Sequence, residues 1–271
     1  MINFKSLTIL LLFALACKSP GNLTLEGSIN NSLEEVSAAE TSHRYSDVIW
    51  TIEDSGNDND LIALNKRGKI LQYVAIENAK NKDWEDLTSD TEGNIYIGDF
   101  GNNGEDREEF KIYKVSHKDL NKKTARAEVI TFTLPDEDDS KDFESFFIYN
   151  NYFYIISKAS KDFIVFKVPN TIGQHKAKIV SQYNFEGKDN KITSADISSD
   201  GKTIVFLNHD KLWKVSNFNG EDFFSGTIEK LVFNNNTQKE GICFSNNSSV
   251  IITDERDGSE GGNIYSFSWK P

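Results

Sequence analysis

The chain of 271 residues carries 30 lysines and arginines against 42 aspartates and glutamates, a formal net charge of −12. That excess disfavours nucleic acid and anionic lipid as partners, since both reward basic surfaces. A hydrophobic fraction of 38%, with 19 Phe and 9 Tyr, supports a packed core, and only 17 Gly and 4 Pro exclude collagen-like and low-complexity chains.

The chain opens with Lys5 followed by an apolar run from Leu7 to Ala16. The run is too short to span a bilayer and ends in small residues, the pattern of a signal peptide. Ala14-Leu15-Ala16-Cys17 resembles a bacterial lipobox. The resemblance implies a signal over residues 1–16, lipidation of Cys17, a tether over residues 17–21 and one domain over residues 22–271. An ordinary secretory signal with an incidental cysteine is the alternative. The implied address is the bacterial cell envelope at the outer membrane, facing the periplasm or the surface, with membrane contact through the lipid anchor only. The one other cysteine, Cys243, lies in the apolar run Ile242-Cys243-Phe244 and reads as a small buried hydrophobe.

After the signal the chain alternates short β-branched and aromatic runs with Asn, Asp, Gly and Ser clusters, the pattern of many short strands. A repeat organises them. Asp83-Trp84-Glu85-Asp86-Leu87, then Asn94 to Asp99, then Phe110 to Val115 form one unit. Asp142-Phe143-Glu144-Ser145-Phe146, then Tyr152 to Lys158, then Phe163 to Val168 form another. Further units start near Ala195 and Glu240, and a looser one near Glu34. Fourth strands are predicted over Ile70–Ile76, Glu128–Leu134, Lys178–Phe185 and Ile228–Phe233. The spacing is that of four-stranded propeller blades. The expected fold is therefore all-β: a five-bladed β-propeller of antiparallel blades, with a sixth irregular blade or a two-sheet sandwich as alternatives. The last unit lacks its outer strand, and Asn22 to Ser28 is placed to supply it and remove a free edge.

The succession Trp50 to Gly56, Leu61 to Asn65, Asp83 to Leu87, Ile95 to Asn103 and Glu240-Gly241-Ile242 resembles a group of uncharacterised secreted bacterial propeller proteins, in the style of the NHL and TolB-like propellers. That resemblance implies the fold and no particular activity. Acidic residues opening the inner strands are also similar to those of the calcium-activated nucleotidases (apyrases), five-bladed propellers with a central calcium. Phytase-like propellers likewise use acidic top faces for calcium.

In a blade the start of the first strand and the end of the second lie on one face. The starts carry Glu34 or Glu35, Glu85 with Asp86, Glu144, Asp196 and Glu240. The second-strand ends carry Asp54, Asp99, Lys158, Asn208 and Asp254. Two carboxylates ~5 Å apart at an effective dielectric of ~20 repel by roughly 3 kcal/mol, so such a ring needs compensation. One reading is a calcium-type cation held by Glu35, Glu85, Glu144, Asp196 and Glu240, with Asp54, Asp99 and Asp254 nearby. The other is that the carboxylates cap backbone N–H groups and stitch neighbouring blades. Four scattered histidines share no transition-metal spacing.

Two functions follow from that ring. The first is an envelope-anchored binding or scaffold module, monomeric, whose acidic mouth meets a protein or small-molecule ligand. The second is a calcium-dependent hydrolase of phosphate or carboxyl esters. There Glu85, Glu144 or Glu240 is the base, and Arg107 or Arg256 holds the substrate anion. A lyase or lactonase is a third class.

Overall fold

A computed structural model describes residues 22–42 and 44–269, so the signal-like segment and Cys17 lie outside the described residues. Among the described residues the elements are strands and one short 3-10 turn, Phe223–Ser225. No helix there is long and apolar enough to cross a membrane.

The chain begins with β1 (Thr24–Ser28). Blade 1 is β2 (Glu40–Ser42), β3 (Tyr45–Thr51), β4 (Asp60–Asn65) and β5 (Ile70–Ile76). Blade 2 is β6 (Trp84–Ser89), β7 (Ile95–Asp99) and β8 (Phe110–Val115), then, after the short β9 (Thr124–Ala125), β10 (Glu128–Thr133). Blade 3 is β11 (Phe143–Tyr149), β12 (Tyr152–Ser157) and β13 (Asp162–Pro169), then, after β14 (Gly173–Lys176), β15 (Lys178–Asn184). Blade 4 is β16 (Ser194–Ile197), β17 (Thr203–Asn208), β18 (Lys211–Ser216) and β19 (Thr227–Val232). Blade 5 is β20 (Lys239–Asn246) and β21 (Ser249–Asp254), a small hairpin of β22 (Arg256–Asp257) and β23 (Glu260–Gly261), then β24 (Asn263–Ser268).

The inner strands β2, β6, β11, β16 and β20 pack in that order around one axis and return to β2, giving a five-bladed β-propeller. The ring is latched by β1, which pairs antiparallel with β24 as the outer strand of blade 5. The fourth strands fall where the sequence puts them. Two edges carry extra cover: β9 runs parallel to β5, and β14 parallel to β10. Each is borrowed from the following blade, and each shields an outer edge from pairing with another chain.

The strands are apolar on both faces because each blade packs on two neighbours. In β17, Ile204 and Phe206 join the cluster shared with blade 3, while Val205 and Leu207 join the one shared with blade 5. In β7, Ile95 and Ile97 face blade 1, while Tyr96 faces blade 3. Five inter-blade clusters replace a single central core. Trp50, Trp84 and Trp213 all sit in them rather than at a mouth, as does Cys243. The axis is thereby left to polar groups.

Blade 1 departs from expectation. Its inner strand does not run over residues 33–37; β2 starts at Glu40, preceded by an isolated bridge between Val36 and Glu53. The small Ser37-Ala38-Ala39 stretch lies against the axis, and all three residues are buried.

Candidate functional site

The upper mouth is shaped by a repeated β-bulge. Pairing of the inner strand with the second strand slips between Trp84 and Asp86, between Phe143 and Ser145, and between Lys239 and Gly241. The residues skipped are Glu85, Glu144 and Glu240. A bulge frees one residue from the ladder and re-aims its side chain, which is how these carboxylates come to share one end of the channel. In blade 4 the equivalent place is Thr193, whose N–H bonds Leu207 O at 3.0 Å. In blade 1 it is Ser37, bonded to Ile52 O at 3.1 Å. The expected five-acid ring is thus three acids, a serine and a threonine.

Glu35 and Asp196 must therefore be moved. Glu35 precedes the inner strand, is exposed, and accepts a hydrogen bond from Asn57 Nδ2 at 2.7 Å. Asp196 lies three residues beyond the bulge, deep in the channel, where its oxygens accept from Ile197 N and Phe244 N at 2.7 Å each.

The acids that do converge are Asp54, Asp83 and Glu85, which offer carboxylate oxygens all within 4.8 Å of one another. Asp54 comes from the loop after β3, Asp83 from the entry to β6 and Glu85 from its bulge. Glu85 is 6% exposed. Burial raises its carboxyl well above the usual range, and Glu144, Asp54 and Asp83 push it further while Lys158 opposes them. Burial, then Asp54, lifts Asp83 to about 6. Asp83 and Glu85 both press on the backbone of Gly101, where a Cβ would overlap Glu85 Oε1 and the Asp83 carboxyl. Gly101 N in turn donates to Asp83 O at 3.1 Å. Only glycine leaves room for this pair of carboxylates.

The mouth continues around the ring. Lys158 reaches Glu144 and lies 4.0 Å from Asp142. Burial raises Glu144 to about 8, Lys158 lowering it and Glu240 raising it. The same acids hold Lys158 firmly protonated. Glu240 faces His209 Nε2 at 3.0 Å. Nearby Glu255 is lifted to about 7 by burial, Glu240 and Glu35.

Three carboxylates converging over Gly101, with Asp83 and Glu85 raised in proton affinity, suit a hard divalent cation. Ca²⁺ takes six to eight oxygens in flexible geometry, so water or ligand oxygens would complete its shell. The donor set does not suit zinc, which selects nitrogen and sulfur at closed sites.

Several other expected site residues serve the frame. Asp99 is 2% exposed and is spent on Arg107, whose NH2 lies 3.1 Å from Asp99 Oδ1. Arg107 also donates to Gly101 O and Asp99 O and lies over Phe110, so it braces the Gly101 loop and has no free fork for a substrate anion. Asp254 is fully buried and accepts from Tyr265 Oη and Thr237 Oγ1. Arg256 donates to Ile29 O at 2.8 Å, tying its hairpin to the first turn of the chain. Asp83 was not among the expected site residues, yet it belongs to the carboxylate cluster. Its signal was the alternation Asp83-Trp84-Glu85, in which the apolar middle residue goes to the core.

No protein-family model and no curated protein sequence matches the chain. Solved structures do. A PQQ-bound aldose sugar dehydrogenase from Streptomyces coelicolor is similar with a TM-score of 0.53 and 7% identity, over 91% of this chain and 97% of that one. A gluconolactonase from Xanthomonas campestris is similar with a TM-score of 0.50 and 7% identity, over 93% and 99%. At that identity the likeness is one of propeller fold.

Proposed function

We propose that this protein is an envelope-anchored propeller that binds a calcium-type divalent cation at its upper channel mouth and uses it to hold an oxyanion-bearing ligand. The observation that carries the reading is the Asp54–Asp83–Glu85 cluster over Gly101. Three carboxylates so close are strongly repulsive without a counter-charge, and a bound cation supplies one while leaving coordination positions open. Lys158, beside Glu85, adds a second positive group for an anionic ligand. The anchor is the lipidated Cys17, the protein is a monomer at the outer membrane, and the partner is a small molecule or a protein segment rather than nucleic acid.

The test is a thermal melt of the purified protein in EGTA and in excess Ca²⁺. A cation at 100 times its Kd adds ~2.7 kcal/mol to stability. Wild type should show that gain, and Asp83→Asn and Glu85→Gln should lose it. No shift at any calcium concentration rejects the cation site.

A second reading, cation-dependent hydrolysis of a phosphate or carboxyl ester, is favoured by Glu144. This buried carboxyl, raised to about 8, borders the cluster and is bonded to Lys158. A group poised near neutral pH is suited to general acid–base work. Here Glu144 is the base, Glu85 is a cation ligand, and Lys158 replaces Arg107 and Arg256 as the anion-holding group. Turnover of nitrophenyl esters or phosphates that needs calcium and falls at least ~100-fold in Glu144→Gln would establish it.

A further inference from the structure

The channel has a second mouth, where the inner strands end and turn back. A cavity of about 1000 Å³ opens there. It lies at the end of the inner strands away from the Glu85 bulge, and every blade contributes to it: Ser42, Asp90, Asn151, Ser198 and Asn247 each come from a different one. Its size is that of a small-molecule site.

The rim is rich in uncharged hydrogen-bonding groups. Asn150 and Asn151 form the turn between β11 and β12 with φ of 50° and 63°, a left-handed conformation that asparagine tolerates in two-residue hairpins. Among the described residues, neither side-chain amide has a hydrogen-bond partner. Ser199 Oγ meets Asn247 Oδ1 at 2.9 Å across two blades, and Asn170 Nδ2 donates to Tyr96 Oη at 3.2 Å.

The floor is different. Behind the cavity lining, Asp86 is fully buried and saturated: it accepts from Leu87 N, Phe146 N, Ala195 N and Ser194 Oγ. Asp196 has a backbone donor on each oxygen. Glu40 is not saturated. It is 4% exposed, and its Oε1 accepts from Thr41 N at 2.7 Å and Ser89 Oγ at 3.3 Å. No described donor reaches Oε2, although Glu40 lines the cavity. One oxygen of this buried side chain is thus open to the cavity and left for an occupant.

We infer that the lower cavity binds a small hydroxylated amine of the amino-sugar class, its ammonium on Glu40 Oε2 and its hydroxyls on the rim amides and hydroxyls. The charge balance supports a cation. Glu40, Asp90, Glu92, Asp196 and Asp200 line the cavity against Lys114 alone, and Lys114 is engaged with Glu128 and the Tyr96 ring. A bare metal ion is poorly served, because Asp196, the other inner-strand acid lining the cavity, is taken by backbone donors and a single free oxygen makes no cage. A neutral sugar would satisfy the rim but could offer Glu40 only an uncharged hydroxyl donor and no counter-charge. Burial, Asp196 and Asp86 all raise the Glu40 carboxyl, so an ammonium that lets it ionise gains a charge-assisted bond.

The experiment is calorimetric titration of the purified protein, wild type and Glu40→Gln, with D-glucosamine, D-glucose and CaCl₂, calcium being held saturating during the sugar titrations. Wild type should bind glucosamine at least about tenfold more tightly than glucose, and Glu40→Gln should remove that margin while leaving glucose unchanged. Calcium should compete with neither sugar, which keeps the outcome independent of the upper mouth. The inference is overturned if glucosamine does not bind, if glucose binds as well, or if Glu40→Gln binds glucosamine as wild type does. Should Glu40→Gln fail to fold, the double variant Asn150→Gly/Asn151→Gly, which removes both amides and keeps the left-handed turn, replaces it. That variant should weaken glucosamine at least about fivefold, and unchanged affinity overturns the inference.

Discussion

At the upper mouth Asp54, Asp83 and Glu85 face one another with their carboxylate oxygens within 4.8 Å. Further along the inner strands, Asp86 and Asp196 are buried, more deeply than Asp54 and Asp83, and meet backbone N–H groups of the next blades. Asp86 spans from blade 2 to blades 3 and 4, and Ser194 passes the link to Ile242 N in blade 5. The difference separates two uses of one residue type. An acid that saturates donors holds the ring together; an acid that faces other acids waits for something to be added. Counting carboxylates in a channel therefore says little until the donors around each have been traced.

The comparison can be broken first at Asp86. Asp86→Ala leaves Phe146 N, Ala195 N and Ser194 Oγ without their acceptor, and a loss of ~3–5 kcal/mol is expected. The melting temperature should fall by roughly 10 °C. If Asp86→Ala melts like wild type, the lower acids are not ties. Gly101→Ala should spare most of the stability and weaken calcium at least about tenfold, because the new methyl displaces two of its ligands. Isothermal titration with calcium reads this directly.

The pH response should sharpen the contrast. Asp83 is raised to about 6 and Glu144 to about 8. Each then binds its proton more tightly folded than unfolded, so the calcium-free protein loses stability as pH rises from ~4 through these values. Calcium requires the ionised carboxylates, so its stabilising effect should grow over the same range. Urea melts at pH 4.5, 6 and 8, with and without calcium, would show both trends, and a calcium effect that shrinks as pH rises would contradict them. The smallest expected effect is the most telling. In EGTA, Asp83→Asn should be neutral or more stable by ~0.5–1 kcal/mol, since it removes one repelling charge, whereas any Asp86 substitution destabilises.

Much of the fold was legible in the sequence. The periodic runs, the fourth strands and the closing strand at Thr24–Ser28 follow from apolar pattern and turn residues, and the structure places them there. The site was legible only in part. Glu85, Glu144 and Glu240 share a bulge position, and the repeat exposes it. Asp196 was misplaced because the acid of blade 4 stands three residues further along its strand, while Thr193 takes the position of Glu85. Glu35 was misplaced because Ser37, two residues further along, takes the position of Glu85 in blade 1, where no acid marks the register. Arg107 and Asp99 read as site residues because both are charged and near the mouth, but they satisfy each other at 3.1 Å. Glu40 carried no repeat signal, since the matching positions in the other blades are Thr88, Phe147, Asp196 and Cys243. Its importance comes from one unclaimed oxygen, which only three-dimensional packing creates.

The pairing of β1 with β24 joins residues 24–28 to residues 263–268. The first strand to leave the ribosome is therefore the last to find its partner. A chain interrupted before residue 263 has no partner for β1 and cannot latch its ring, however well its earlier blades have formed. Closure thus reports completion of synthesis: until β24 is made, the nascent protein stays an open arc, and the finished ring appears in one late step of long sequence separation. Anything that held Thr24–Ser28 away from β24 would keep the ring unlatched even after the final strand had been made.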